Sequence, residues 1–356
     1  MARKGNCMDN GVLEKIFGRY SFTISLILLS NLLSVLQSKS SAFYERKIII
    51  MKKSKKFSIA SKHSLNSDDV LSLVPYYGGK ANQAEETLEY VQIVAEKNNA
   101  HTYVECFGGG GRCILNLNLI PHTFQQIYYN EWDESMCCMF HVVSDETLVE
   151  EFYNRVMMEE CSKENFLYWK KCSEVDKDTG RVIDRSLTLM DKAVAAYMTC
   201  HLSFNAGRED FSSQQETEDI PSYIEKIWDA SYNLQKLKVR QGDYRKILEV
   251  YGADPQVILY LDPPYHPFCR EKGAEHIYKN EMTPEQHREM VALLCKSRSW
   301  VLSGYDPKLW GCDDYEPLVE SGAVKVCIGE YDLPSSGTSQ QRDEILKKQE
   351  FIWYKF

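Results

Sequence analysis

The chain has 356 residues, of which 44% are hydrophobic and 26% charged, and its formal net charge is −9. These values are typical of a globular protein with one large or two ordinary domains and a sizeable core. The acidic balance excludes a general long-range attraction for nucleic acid. Any contact with DNA therefore has to come from a local basic face.

The twelve cysteines are scattered along the chain. None of them forms a C-x-x-C pair, and no cluster of cysteine and histidine has the spacing of a zinc site. Reduced and mostly buried thiols are typical of proteins in an intracellular compartment. We therefore expect an intracellular protein without a bound metal.

The N-terminal residues differ from the rest of the chain in charge. Residues 1–62 hold twelve Lys or Arg and three Asp or Glu, so the remainder carries −18. Phe22–Leu36 is apolar but short for a membrane span, and no clear cleavage site of a signal peptide follows it. Met51 opens a lysine-rich stretch that is typical of a bacterial start. We expect residues 1–60 to be an extension and the functional protein to begin near Met51, with an export or anchor signal as the alternative.

After a polar linker, strands alternate with helices, and this alternation predicts a parallel α/β sheet. The predicted strands are Thr102–Cys106, Gln126–Tyr129, Lys238–Gln241, Val257–Leu261 and Trp300–Ser303, with Val324–Gly329 and Glu350–Lys355 as a closing pair. The predicted helices are Ala84–Lys97, one that ends near Leu119, Tyr244–Tyr251, and Pro284–Lys296 with Thr283 as its N-cap. Helical patterns from about Asp145 to Leu237, broken by the turn-rich stretch Asn205–Pro221, predict an insert in the sheet.

A run of four glycines, Gly108–Gly111, follows the first predicted strand and opens a helix. Glycines at this position let the backbone approach a ligand closely, and the helix N-terminus offers free N–H groups. Glu131 lies twenty residues after Gly111, at the end of the next strand, from which a carboxylate can hold ribose hydroxyls. The pattern favours a cofactor that contains a nucleoside.

The strand Val257–Leu261 stops at Asp262-Pro263-Pro264-Tyr265. Two consecutive prolines cannot continue a sheet ladder, because neither has an N–H group. The Asp262 carboxylate and the Pro263 carbonyl therefore form a rigid pair of acceptors at the carboxyl end of a strand, beside the ring of Tyr265. Such an arrangement suits a flat base that carries an amino group.

S-adenosylmethionine fits this combination better than other nucleoside cofactors. A dinucleotide site requires G-x-G-x-x-G, and the P-loop of nucleoside triphosphatases requires Gly-Lys-Ser/Thr, neither of which occurs here. Methyl transfer to an exocyclic amine is hindered because the nitrogen lone pair is delocalised into the base. Two acceptors on the amine hydrogens favour a nucleophilic nitrogen, and positioning does most of the remaining work without a metal.

Taken together, these motifs resemble those of the Dam-like (D12 class) N6-adenine-specific DNA methyltransferases. The similarity runs from about Leu73 to Phe356, with Cys106 where the family has proline and Glu131 where it usually has aspartate. It implies a Rossmann-like α/β sheet of the S-adenosylmethionine-dependent methyltransferases, with a mostly helical target-recognition insert. The catalytic domain would span residues 70–144 and 238–356, and the insert residues 145–237. The motifs that carry the resemblance are Pro75–Lys80, Glu105–Gly111, Asn130–Asp133, Gly242–Tyr244, Asp262–Tyr265, Trp300–Tyr305 and Glu350–Tyr354.

The resemblance also implies roles for single residues. Asp262, Pro263, Pro264 and Tyr265 would hold the target adenine. The residues that would contact S-adenosylmethionine are Tyr76, Lys80, Phe107, Gly109, Gly111, Glu131, Asp243, Tyr244 and Asp262.

The stretch Ser203–Arg208 resembles the family's recognition hairpin. On that basis Phe204 would wedge into the base stack, and Asn205 and Arg208 would contact DNA, with Arg208 on a base or a phosphate. Extruding an adenine costs a few kcal/mol of unstacking, which such a wedge offsets. An ordinary loop is the alternative interpretation.

The resemblance therefore predicts a site-specific enzyme that methylates adenine N6 in double-stranded DNA. It also implies a cytoplasmic protein of bacterial or phage origin, no membrane contact of the catalytic body, and a restriction endonuclease as a candidate partner. An N4-cytosine methyltransferase, a protein-glutamine methylase and a DNA-binding module that has lost catalysis are the alternatives. The intact Asp262–Tyr265 argues against the last of these.

Overall fold

A computed structural model describes residues 70–76, 83–216, 222–269, 280–332 and 347–356, which all belong to one compact unit. The predicted N-terminal extension and Lys80 lie outside these ranges. None of the helices in the described ranges is long and apolar enough to cross a membrane.

Seven strands form a mixed, Rossmann-like sheet in the order β3-β2-β1-β4-β5-β7-β6. The first five strands pair in parallel, and β7 runs antiparallel to both β5 and β6. The strands are β1 (Thr102–Glu105), β2 (Gln126–Glu131), β3 (Leu237–Gln241), β4 (Val257–Leu261), β5 (Trp300–Tyr305), β6 (Val324–Asp332) and β7 (Lys347–Lys355). The predicted closing pair is confirmed, and each of its strands is three residues longer than predicted.

Ten α-helices lie in the described residues. They are α1 (Ala84–Asn98), α2 (Arg112–Leu115), α3 (Glu134–Ser144), α4 (Val149–Met158), α5 (Lys163–Cys172), α6 (Leu189–Leu202), α7 (Lys226–Asn233), α8 (Tyr244–Tyr251), α9 (Pro284–Lys296) and α10 (Glu316–Glu320). Helix α9 begins at the predicted N-cap, where Thr283 and Gln286 form a capping box.

Both faces of the central strand β4 are buried. On one face, Leu259 and Leu261 of β4 belong to a core cluster with residues of α8 and α9. The alternate residues, such as Ile258 and Tyr260, are also buried and point to the opposite face, because side chains alternate along a strand. This double burial explains why β4 is apolar at every position.

The strand order reverses between β1 and β4. From β1 the chain proceeds outward through β2 to β3, and it then returns to place β4 on the other side of β1. In open α/β sheets a ligand binds at the carboxyl ends of the strands that flank such a switch point. The glycine loop follows β1 and Asp262 follows β4, so both lie at this point.

Candidate active site

The end of β4 presents Asp262 beside the neighbouring strand β5. The Ser303 hydroxyl of β5 is fully buried and lies 3.2 Å from Oδ1 of Asp262 and 3.4 Å from the carbonyl of Leu261. The Tyr260 hydroxyl lies 3.0 Å from the same Ser303 oxygen. The buried Ser303 hydroxyl therefore holds the Asp262 carboxylate at the carboxyl end of β4.

The glycine loop after β1 packs against an aromatic ring. Gly109 and Gly111 have φ angles of 48° and 65°, which glycine adopts without the steric cost of a side chain. A Cβ atom at Gly109 would lie 2.8 Å from the ring of Tyr76, and one at Gly110 would lie 2.6 Å from its Cβ. Larger residues would therefore displace Tyr76, whose own pKa is raised by burial and by the nearby Glu131.

Glu131 at the end of β2 also contacts the glycine loop. Its carboxylate is 8% exposed and accepts the N–H groups of Gly109 at 2.7 Å and Asp133 at 3.1 Å. Burial raises the pKa of Glu131, and the two backbone donors act in the opposite direction. The predicted contact of Glu131 with ribose hydroxyls remains a prediction.

Asp243 and Tyr244, which follow β3, form the next part of the site. Asp243 caps the N-terminus of α8 by accepting the N–H of Arg245, and it also pairs with the Arg245 guanidinium. The ring of Tyr244 packs on Phe107 at 4.7 Å, and its hydroxyl donates to the carbonyl of Gln286 at 2.9 Å. The glycine loop and the end of β3 are thus joined by two aromatic rings.

These elements enclose one cavity of about 760 Å³, a size typical of a site for a small ligand. All the described residues predicted to contact the cofactor line it, together with Pro263 and Pro264. They are Tyr76, Phe107, Gly109, Gly111, Glu131, Asp243, Tyr244 and Asp262.

Tyr265 does not line this cavity, although its three neighbours in the tetrapeptide do. Its ring packs on the ring of Tyr305 at 4.3 Å, and its hydroxyl points to Glu350 of β7. The aromatic residue therefore lies on the β5 side of Asp262.

A hairpin of the insert also reaches the cavity, which the sequence did not predict. Val175 and Val182 pair in an isolated bridge, and Lys177 and Asp178 at the tip line the cavity. Glu134 of α3 holds this hairpin through its N–H to the carbonyl of Gly180 and through its carboxylate to the N–H of Val182. The Asp176-to-Gly180 turn is visible in the sequence, but its partner on α3 is not.

The predicted DNA-contacting residues lie in different environments. Phe204 is 59% exposed and is available to a partner, and the side chain of Asn205 lies outside the described part of the structure.

The DNA contact predicted for Arg208 remains a prediction, but the side chain is only 4% exposed and makes several contacts within the protein. The guanidinium pairs with Asp133 at 3.0 Å and donates to the hydroxyls of Ser135 and Thr199. Burial alone would lower the pKa of Arg208, but the Asp133 carboxylate raises it. Arg208 thus joins the loop after α6 to the N-terminal end of α3.

His266, directly after the tetrapeptide, belongs to a group with Cys312 and Asp314 in which one ligand atom of each lies within 4.8 Å of the others. The N–H of Phe268 donates to Nδ1 of His266 at 3.3 Å, so the ring proton resides on Nε2. Nε2 then donates to Asp314 at 3.1 Å. These hydrogen bonds hold the loop after Tyr265 and already use both ring nitrogens of His266.

The comparison with protein-family models matches a methyltransferase family. The family model described as D12 class N6 adenine-specific DNA methyltransferase matches residues 76–310. No curated protein matches the chain. Among the 29 matching chains of solved structures is a putative O-methyltransferase from Klebsiella pneumoniae, with 9% identity and a TM-score of 0.32 over 79% of this chain and 83% of that chain. At that TM-score the structural similarity carries no functional argument.

Proposed function

Because this chain belongs to the D12 class N6 adenine-specific DNA methyltransferase family, we propose that it transfers the methyl group of S-adenosylmethionine to N6 of an adenine in double-stranded DNA. The observation that carries this proposal is the single cavity that joins the glycine loop and Glu131 to Asp262, Pro263 and Pro264. A cofactor bound at the glycine loop would therefore lie in the same cavity as the groups that accept the hydrogens of the target amine.

The cavity fits the proposed cofactor in volume and in chemistry. Gly109 and Gly110 line the cavity without side chains of their own, and Glu131 offers a carboxylate next to them. Phe107 and Tyr244 supply an aromatic wall. S-adenosylmethionine, when bound, supplies a methyl group on a positively charged sulfur. The carboxylates of Glu131 and Asp262 at the cavity complement that charge.

On this proposal, the chain's own groups prepare the amine. The Asp262 carboxylate and the Pro263 carbonyl accept the two N6 hydrogens, which draws the nitrogen lone pair out of the base. Ser303 keeps the carboxylate in that orientation. When nitrogen gains the methyl group, it loses one proton, for which Asp262 is an acceptor in hydrogen-bonding position. The ring of Tyr265 stacks on the base.

We further propose that residues 145–237 contact DNA and that the exposed Phe204 enters the base stack while the adenine rotates out. In this proposal Arg208 positions the recognition loop through Asp133. A restriction endonuclease is a candidate partner of the same enzyme.

Mass spectrometry of DNA incubated with the protein and isotopically labelled S-adenosylmethionine tests the function. We expect labelled N6-methyladenine with the wild type and a loss of at least about 1,000-fold with Asp262→Ala. Glu89→Ala, at an exposed position on α1 outside the insert and the cavity, is the control and should retain full activity. Labelled N4-methylcytosine would identify the rival enzyme class, and DNA binding without any methylation would identify a binding module.

A further inference from the structure

The hydroxyl of Tyr265 is anchored to a buried carboxylate on β7, two strands away from β4 in the sheet. It lies 3.1 Å from Oε1 and 3.2 Å from Oε2 of Glu350, within hydrogen-bonding distance of both oxygens. Glu350 is 1% exposed, and it is 85 residues away in the sequence. A carboxylate buried to this degree requires donors, and the phenol is one of them.

The neighbours of Glu350 constrain the same ring. Glu350 of β7 lies directly opposite Tyr305 of β5, and the Tyr305 ring packs on Tyr265 at 4.3 Å with an angle of 50° between the planes. A Cβ atom at Gly304 would lie 3.8 Å from the Tyr265 ring, so the ring packs closely over the backbone of β5. The Tyr265 side chain is thus held both at its hydroxyl, by Glu350, and along its ring, by Tyr305 and the backbone of β5.

The hydroxyl itself has no part in stacking on a base. A phenylalanine ring would offer the same aromatic face, so the contribution of the oxygen has to come from the contact that it makes. That contact fixes the rotation of the ring before a base arrives. A ring that is already oriented does not lose conformational freedom when the base stacks on it.

We infer that Glu350 is a positioning residue for methyl transfer, which holds the Tyr265 ring in the orientation that receives the extruded adenine. This inference rests on the proposed function. Glu350 does not touch the base or the cofactor, and it acts through the Tyr265 hydroxyl. The register of β7 on β5 brings the carboxylate to that hydroxyl.

The test compares Tyr265→Phe, Glu350→Leu and the double variant by single-turnover methylation at saturating DNA and S-adenosylmethionine. Each single variant should lower the rate about tenfold, and a separate titration should give an unchanged Kd for S-adenosylmethionine. The double variant should be no slower than the slower single variant, because both changes break the same contact. Glu350→Gln keeps an acceptor oxygen and should retain a rate within about threefold of the wild type.

The chain offers a matched control on β2, outside the insert. The Tyr128 hydroxyl donates to Oε1 of Gln126 at 2.7 Å, so Tyr128→Phe also removes a phenol hydroxyl from a side-chain acceptor, but at a residue that does not line the cavity. We expect its single-turnover rate to equal that of the wild type. Thermal unfolding of every variant separates a loss of folded protein from a loss of rate.

Several outcomes would overturn the inference. One is a Glu350→Leu variant that unfolds earlier but methylates at the wild-type rate per folded molecule, which would make Glu350 structural only. Another is an additive, about hundredfold loss in the double variant. If Glu350→Leu does not fold, Tyr265→Phe decides, and a full rate in that variant contradicts the role of the hydroxyl. Failure of the proposed function differs from all of these, because the wild type itself would then methylate nothing.

Discussion

At Glu105, the last residue of β1, a carboxyl group is almost completely buried within the cavity wall. Burial raises its pKa from 4.5 to about 8, although the Tyr103 hydroxyl, which donates to Oε2 at 2.9 Å, acts in the opposite direction. The carboxyl group is therefore protonated in the folded protein at neutral pH. A cation bound in the cavity would favour release of this proton.

The first prediction concerns the stability that Glu105 contributes. In the unfolded chain Glu105 loses its proton near pH 4.5, but in the folded chain only near pH 8, so the free energy of unfolding falls as pH rises through this window. Glu105→Gln keeps an acceptor for Tyr103 and removes this dependence. From pH 6 to 8.5 the wild type should lose on the order of 2 kcal/mol relative to the variant, in urea denaturation without cofactor. Parallel pH profiles of the two proteins would contradict the assignment.

At the scale of secondary structure, the N-terminus of α3 is joined to the loop after α6. Asp133 caps α3 through the N–H of Ser135, and its other oxygen pairs with Arg208 of that loop. Ala206 and Arg208 have φ angles of 57° and 61°, which are unfavourable for residues with a side chain. The buried ion pair is a contact that offsets this cost and fixes the loop that carries Phe204.

We predict that Arg208→Ala lowers the free energy of unfolding by about 3–5 kcal/mol, because it removes the guanidinium from the buried Asp133 carboxylate. Urea denaturation measures this loss. Arg155→Ala is the control, because its partner Asp191 lies at a partly exposed site, and it should cost less than about 1 kcal/mol. Sequencing of methylated DNA should show the same site preference for Arg208→Ala and wild type, whereas a relaxed preference would restore a direct role in base recognition.

At the scale of the whole molecule, the cavity joins the ends of four strands with a hairpin of the insert. The wall contains residues that follow β1, β2, β3 and β4, and Lys177 and Asp178 come from the insert. A ligand in this cavity would therefore contact segments that are far apart in the chain. Its binding energy would add directly to the stability of the folded state.

S-adenosylmethionine should accordingly stabilise the protein by about 2.7 kcal/mol at a concentration 100 times its Kd. Glu131→Ala should abolish most of this ligand-induced increase, because the variant removes the carboxylate at the glycine loop. Glu150→Ala, with its exposed side chain on α4, should show the full increase. Thermal unfolding with and without S-adenosylmethionine measures the effect, and an equal increase in Glu131→Ala would refute the predicted contact.

Much of the fold follows from local sequence signals. The predicted bounds of β4, α8 and α9 agree with the structure, because an apolar run, an N-cap residue or a proline pair marks each end within a few positions. Strand β2 is two residues longer than predicted, since Asn130 and Glu131 pair with β3, which lies more than 100 residues away. The local pattern does not contain that partner.

The sequence by itself determined the parallel sheet, the glycine loop, the Asp262–Tyr265 turn and their order, because each depends on neighbouring residues. Only the tertiary structure decided which distant side chains meet. It buried Arg208 against Asp133 and placed Glu350 on the Tyr265 hydroxyl. Such contacts depend on strand register and on helix packing, which bring together residues that no local periodicity relates. The motifs in the sequence therefore indicate the chemistry of the site, whereas the long-range contacts that hold its side chains in place appear only in the tertiary structure.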